Sequence, residues 1–405
     1  MSSFVRRARE AMRVLPIAWH LVLAAKLMTA AAFGANAANV FTPHQFAVSE
    51  SGAATLTVPI QVPRGTAGME PQLSLTYSSQ SGNGLLGLGW SLSGVSAITR
   101  CPQTLASDDV RGAVNFDQGD RWCLDGQRLI RTDADGIRQA DQSTYAGAGA
   151  VIEYRTERDA FARIRAYHGA AVGPPDRFTV WTKGGQMIEY GWTDNSRIQT
   201  HFVNGRTNTI SRWMAERISD RNGNFISFQY CSGQVDPTSN SCDELFRGSA
   251  VLHFVRYTNR NTTSPEGRFA VLFRYGPRED VIPTFHAGSR SVQTQRITHI
   301  ETYLDWQGVA NPGRLIRRYT LTYEPLQDAS GRFIRATAAS RLTRVQESVA
   351  DANVLPLRPI DLQFSSDLVF GQSVAHVQAP PPPRPPGDIE GCGGVVRNGI
   401  RTLCP

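Results

Sequence analysis

An all-β chain of many short antiparallel strands and hairpins is the fold class this sequence predicts. Three observations carry that reading. Apolar and polar residues alternate with period two from about residue 50 to 370, and Gly, Asn and Asp punctuate the alternation at short, irregular intervals. After residue 38, no segment holds an amphipathic helix of ordinary length.

The first strand pair is Thr55 to Val62 (TLTVPIQV) with Leu73 to Ser79 (LSLTYSS). Phe178–Thr182 and Met187–Trp192 form a hairpin around Lys183-Gly184-Gly185, and Trp213–Ser219 and Phe225–Tyr230 form another around Asn222-Gly223. Asn-Gly is the stronger turn, because both residues tolerate the positive φ of a type I′ turn. Val251–Tyr257 with Phe269–Tyr275, and Ile297–Trp306 with Leu315–Tyr323, extend the pattern through longer loops.

The ends differ in texture from this middle. Arg6, Arg7, Arg9 and Arg13 precede an apolar run from about Leu15 to Phe33 and then Ala35-Asn36-Ala37, the three-part pattern of an export signal over residues 1–37. Lys26 within the run argues against a retained membrane helix. No later stretch approaches the ~18 apolar residues of a span, so no membrane span is expected after signal cleavage. Residues 38–370 are read as the β-rich domain and 371–390 as a linker, whose core Ala379 to Pro386 (APPPPRPP) is a stiff polyproline II spacer. Residues 391–405 form a short cysteine-containing tail, either a small disulfide-closed unit or the product of an interrupted gene.

Charge and cysteine usage bound the function classes. Without residues 1–37 the chain keeps 37 basic and 34 acidic residues, a net charge of +3, with no block of like charges that would read as a nucleic-acid surface. The six cysteines are Cys101, Cys123, Cys231, Cys242, Cys392 and Cys404, and in an exported chain an even number suggests disulfides. Pairing of neighbours would give 101–123, 231–242 and 392–404, although six cysteines allow 15 pairings. Their spacings do not fit the CxxC pairs of a zinc site.

Several motifs suggest chemistry and fail on context. Gly82-x-Gly84-x-x-Gly87 follows a strand, as a dinucleotide fingerprint does, but the continuation Gly89 to Thr99 alternates like a strand, where the fingerprint requires a helix N-terminus to hold the pyrophosphate. Asp108 and Asp109 near the ribose-acid spacing are therefore coincidental, and the glycines are read as tight turns or close backbone approach. Asp133-Ala134-Asp135-Gly136 begins like a calcium loop, but its glycine is fourth and its twelfth residue is Thr144, so it is read as a turn, as are Asp117 and Asp120. The eight histidines form no HExxH, and Ser91 and Ser93 form no nucleophile elbow. Asn261-Thr262-Thr263 matches a glycosylation acceptor.

The run from Gly52 to Gly94, GAATLTVPIQVPRGTAGMEPQLSLTYSSQSGNGLLGLGWSLSG, resembles the opening of the SpvB/TcaC-type N-terminal domain, the Salmonella virulence plasmid B protein family. Asp120 to Leu129 (DRWCLDGQRL), Arg217 to Tyr230 (RISDRNGNFISFQY) and Ser340 to Glu347 (SRLTRVQE) agree, and the resemblance spans about Val48 to Phe364. It implies a domain that opens toxin-complex B components and RHS/YD-repeat proteins and lends strands to a curved, shell-like sheet enclosing a toxic segment. It brings no catalytic residues. Some relatives end in an ADP-ribosyltransferase domain built on a Glu-x-Glu pair, which occurs nowhere in this chain. The chain also departs from the family where Glu-Cys and Cys-Leu-Pro-Pro are expected, having Glu347-Ser348 and Val354-Leu355-Pro356-Leu357.

The expectation is thus a secreted, non-enzymatic structural module of a toxin-complex B or RHS-type virulence protein, without cofactor, metal or nucleic-acid partner. Its partners would be RHS/YD-repeat or toxin-complex components, downstream or in trans. The alternatives are a toxin enzyme of ADP-ribosyltransferase type, or a carbohydrate-binding module using aromatics such as Trp181, Trp192 and Trp306.

Overall fold

The computed structural model describes residues 41–364 and 375–377, apart from residue 134 and residues 140–143, 170–171, 201–208, 244–249, 261–266, 282, 288, 328–329, 331–338 and 351–355. The export signal, the proline run, Cys392, Cys404 and the Asn261 acceptor lie outside the described residues. What is described is almost entirely antiparallel sheet, and it divides into two constructions that share one strand.

The first construction is a closed barrel of eight strands. Ala97–Cys101, Arg121–Leu124, Gln127–Thr132, Val151–Thr156, Arg163–Tyr167, Arg177–Trp181, Met187–Tyr190 and Thr209–Ser219 pair in sequence order, and the last pairs back with the first. Eight strands leave an interior that side chains can fill. Alternation sends Ile98, Tyr154, Ile164, Val180 and Tyr190 inward, around Trp122, Phe178 and Trp213. Those three rings meet edge to face at centroid distances of 5.1 to 6.1 Å, the arrangement that the ring quadrupoles favour.

The second construction is an open meander, which leaves the barrel through Thr209–Ser219 and continues as Asn224–Cys231, Val251–Arg260, Phe269–Pro277, Gln295–Leu304, Arg314–Tyr323, Leu342–Val349, Ile360–Phe364 and Ala375–Val377. The final short strand falls within the stretch that sequence reading assigned to the linker. A separate sheet of Gln45–Val48, Ala54–Pro59, Ser74–Ser78 and Trp90–Ser93 covers the meander. Leu56, Val58, Leu75, Tyr77 and Trp90 pack there against Tyr257, Phe273, Tyr275, Ile300 and Val345. The result is a sandwich fused to a barrel.

Barrel closure was not foreseen from the sequence, and the length of the shared strand explains it. Thr209–Ser219 has 11 residues and serves two neighbours on one side. Its Arg212–Met214 segment pairs with Ala97–Cys101 and closes the barrel, while Arg217–Ser219 pairs with Asn224–Cys231 and begins the meander.

Candidate functional site at the glycine-rich junction

The barrel, the meander and the covering sheet meet at the glycine-rich segment. Asn83–Gly84 pairs with Gly87–Leu88 in a minimal hairpin, which buries Leu86. Gly87 has φ +94°, and a Cβ there would lie 2.4 Å from the Ser340 carbonyl oxygen. The next amide, from Leu88, donates to that same oxygen at 2.8 Å. Only glycine combines this dihedral with such close backbone approach. The motif is therefore a docking element between two sheets, and no helix follows to make a phosphate site.

A buried ion pair holds the hairpin. Arg278 donates to both oxygens of Asp280, Nε at 2.8 Å and Nη2 at 2.9 Å, and also reaches the Gly84 carbonyl and Asn83 Oδ1. Asp280 further accepts from Asn83 Nδ2 at 2.6 Å and from the Ser340 amide and hydroxyl at 2.6 and 2.5 Å. Both ionic side chains are at most 3% exposed. Burial alone would raise the Asp280 carboxyl, but the hydrogen bonds from Arg278, Ser340 and Asn83 outweigh it and hold the group well below the ordinary carboxylate range.

Beside this latch lies a cleft of about 700 Å³. The glycine hairpin and Trp90–Val95 supply one wall, the meander residues Tyr230, Val251 and Leu252 another, and the outward-facing Arg212 and Met214 of the shared strand the third. Arg212 is solvent-exposed there, yet the surrounding protein desolvates it and lowers its guanidinium from the ordinary value. Sequence reading missed Arg212, Arg278 and Asp280. Arg212 lies far in the chain from Arg278 and Asp280, and strand alternation says only that Arg212 faces away from the barrel core.

Comparison with known proteins places this geometry. Residues 48–299, more than half of the chain, match the family model described as Salmonella virulence plasmid 65kDa B protein. The chain belongs to that family. Among curated members it is similar to the mono(ADP-ribosyl)transferase SpvB of Salmonella typhimurium and of Salmonella dublin, each 26% identical over 276 residues. Those matches cover 60% of this chain but only 44% and 43% of the relatives, so the chain aligns with less than half of their length. Among solved structures, the TcdB2-TccC3 crystal structure superposes with a TM-score of 0.62 at 21% identity, over 81% of this chain and 17% of that one. The N-terminal domain of the effector SpvB from Salmonella typhimurium strain LT2 superposes with a TM-score of 0.54 at 17% identity, over 73% and 99%. The reading of the chain as non-enzymatic is corrected by these relatives, whose name is that of an enzyme and points to an enzyme family.

Within this SpvB-family fold the other sequence candidates fall into structural roles. Disulfides join Cys101 to Cys123 on the outer barrel wall and Cys231 to Cys242 at the foot of the meander. Asp108 accepts from Arg128 at 2.6 Å and from Arg121 at 2.8 Å. Burial would raise its carboxyl, but Arg128, the Thr104 amide and Arg121 bring it down to about 2. Asp133 accepts the amides of Asp135 and Ile137, as a turn residue does, and Asp117 accepts that of Gly119. Asp120 is no mere turn residue. It is the fully buried partner of Arg100 at 2.7 Å, and Arg100 points into the barrel among Phe116, Trp122, Tyr145 and Trp213. The aromatics Trp181, Trp192 and Trp306 do not form one platform: Trp306 is buried against Phe254 and Tyr303, while Trp192 stacks under Arg177.

Proposed function

We propose that this chain is the SpvB-type scaffold of a toxin-complex B or RHS-type virulence protein, contributing a wall to a β-shell that encloses or delivers a toxin. One observation carries this reading. Phe46, Leu56, Tyr77 and Trp90 form a single row across the covering sheet, on its core-facing side. Leu56, Tyr77 and Trp90 are at most 4% exposed, whereas Phe46, on the edge strand, is 57% exposed. An unfinished core row beside an edge strand suits a wall that further chain continues. The likeness to TcdB2-TccC3, in which the chain matches a small fraction of a much larger protein, supports the same reading. Partners would be RHS/YD-repeat or toxin-complex components, and residues 1–37 would export the chain through the inner membrane. The test is light scattering after gel filtration of the chain mixed with a purified RHS/YD-repeat shell. A stoichiometric complex that Phe46→Glu abolishes is the expected result, and separate elution of both proteins refutes the reading.

The name of the curated relatives favours a second reading, that the protein takes part in ADP-ribosyl transfer. Transfer of label from NAD to protein by the purified chain would support it, and no transfer would remove it.

A further inference from the structure

We propose that the junction cleft binds a small amphipathic anion, an apolar body bearing one carboxylate or sulfonate, with Arg212 as the partner of the charge. The cleft's volume, about 700 Å³, lies within the roughly 300–1,000 Å³ typical of small-molecule sites. Leu85, Trp90, Leu92, Val95, Met214 and Leu252 supply apolar walls. Arg212 enters from the shared strand because Trp213 and Ala215 on either side of Met214 are committed to the barrel core, which turns Arg212 and Met214 toward the cleft.

The charges select the ligand. Among the described residues no carboxylate or carbonyl is paired with the Arg212 side chain, and no nearby charge contributes to the lowering of its guanidinium pKa, whose cause is desolvation. An exposed guanidinium flanked by apolar cleft walls, with no counter-charge among the described residues, can pair with an anion whose apolar body those walls cover. The one carboxylate in the lining, Asp280, is taken by Arg278, Asn83 and Ser340, so it neither neutralises Arg212 nor presents an open negative charge. A metal cation would face Arg212 unfavourably, and a neutral sugar would leave the apolar walls unmatched. Among the described residues a polyanion finds one cation in the lining that is not already ion-paired, Arg212, and a cleft of limited volume.

The experiment uses the whole chain and laurate as probe, followed by calorimetry and by displacement of 8-anilinonaphthalene-1-sulfonate fluorescence. Saturable one-site binding of laurate is expected, with dodecanol, which has the same tail and no charge, binding at least about tenfold more weakly. Arg212→Met should lower laurate affinity by about the same factor and leave dodecanol binding and the near-ultraviolet circular dichroism unchanged. Equal binding of laurate and dodecanol by the unaltered chain would overturn the proposal without recourse to any variant, as would absence of saturable laurate binding or an Arg212→Met chain that binds laurate normally.

Discussion

Asp280→Ala is the substitution that asks whether the glycine hairpin is locked to the meander or merely adjacent to it. The carboxylate accepts two bonds from Arg278, one from Asn83 and two from Ser340. Its removal leaves the Arg278 guanidinium, 3% exposed, with the Gly84 carbonyl and Asn83 Oδ1 as its remaining acceptors among the described residues, and strands the buried Ser340 amide. Adding the lost bonds at about 1.5–3 kcal/mol each overstates the cost, because Asn83 is exposed and rehydrates. The better comparison is a buried ion pair broken on one side, which costs about 3–5 kcal/mol. Urea unfolding followed by tryptophan fluorescence should show that loss as a lower midpoint at unchanged slope. Limited proteolysis should also open the chain between residues 79 and 89. The paired variant Arg278→Met with Asp280→Leu should recover part of the loss, since no orphan charge remains. Gly87→Ala provides an independent route, as its Cβ would strike the Ser340 carbonyl. A loss below about 1 kcal/mol for Asp280→Ala, the size of one ordinary hydrogen bond, would refute the latch.

The barrel makes its own prediction. Asp120→Ala leaves Arg100 buried with the Ile210 carbonyl and Tyr145 hydroxyl as its remaining partners, and should cost about 3–5 kcal/mol, read as an earlier change in Trp122 and Trp213 fluorescence. Replacing Cys101 and Cys123 together by serine removes a bridge across 22 residues, worth about 3 kcal/mol on the chain-entropy estimate, and unreduced wild type is the control. Burial lowers the pKa of His168 and His253, against partial support from the Gly173 and Asn240 carbonyls. The unfolded chain therefore takes up protons first as pH falls through about 6.5, and stability that is complete above that value should decline toward about pH 5. Asp108 and Asp280, both depressed, add a second loss below about pH 4 as their unfolded carboxyls protonate. Urea midpoints that stay flat from about pH 8 to pH 5 would contradict the histidine contribution.

The strands were legible because alternation is local. Residues such as Leu56, Val58 and Leu75 declare their buried face within a few positions, and Asn222-Gly223 marks the place of its turn, although only Gly223 takes a positive φ, so the loop between Asp220 and Asn224 is not the type I′ turn that the pair suggests. The glycine segment was legible in kind, as close backbone approach, but its partner was not. Ser340 lies about 250 positions away, and a single sequence gives no measure of that distance. The same holds for Asp120. Its place in an NFDQGD turn is real, and nothing local distinguishes an aspartate at a turn from one that reaches into a barrel to meet Arg100.

Two mechanical constraints converge on the shared strand Thr209–Ser219, and together they explain why the cleft exists. A closed barrel has no free edge, so a sheet can leave it only where one strand outruns its neighbour. Here Ala97–Cys101 covers Arg212–Met214 and stops, and Asn224–Cys231 takes over at Arg217. The gap between those two partners turns the sheet away from the barrel wall, and the glycine hairpin, held by Arg278 and Asp280, spans the diverging surfaces. A junction forced open by sheet geometry and closed along one side by a polar latch leaves a concavity lined by whatever the shared strand turns outward. In this chain that is an arginine followed, two positions later, by a methionine, which is why the most chemically distinctive surface lies at the seam between barrel and sandwich.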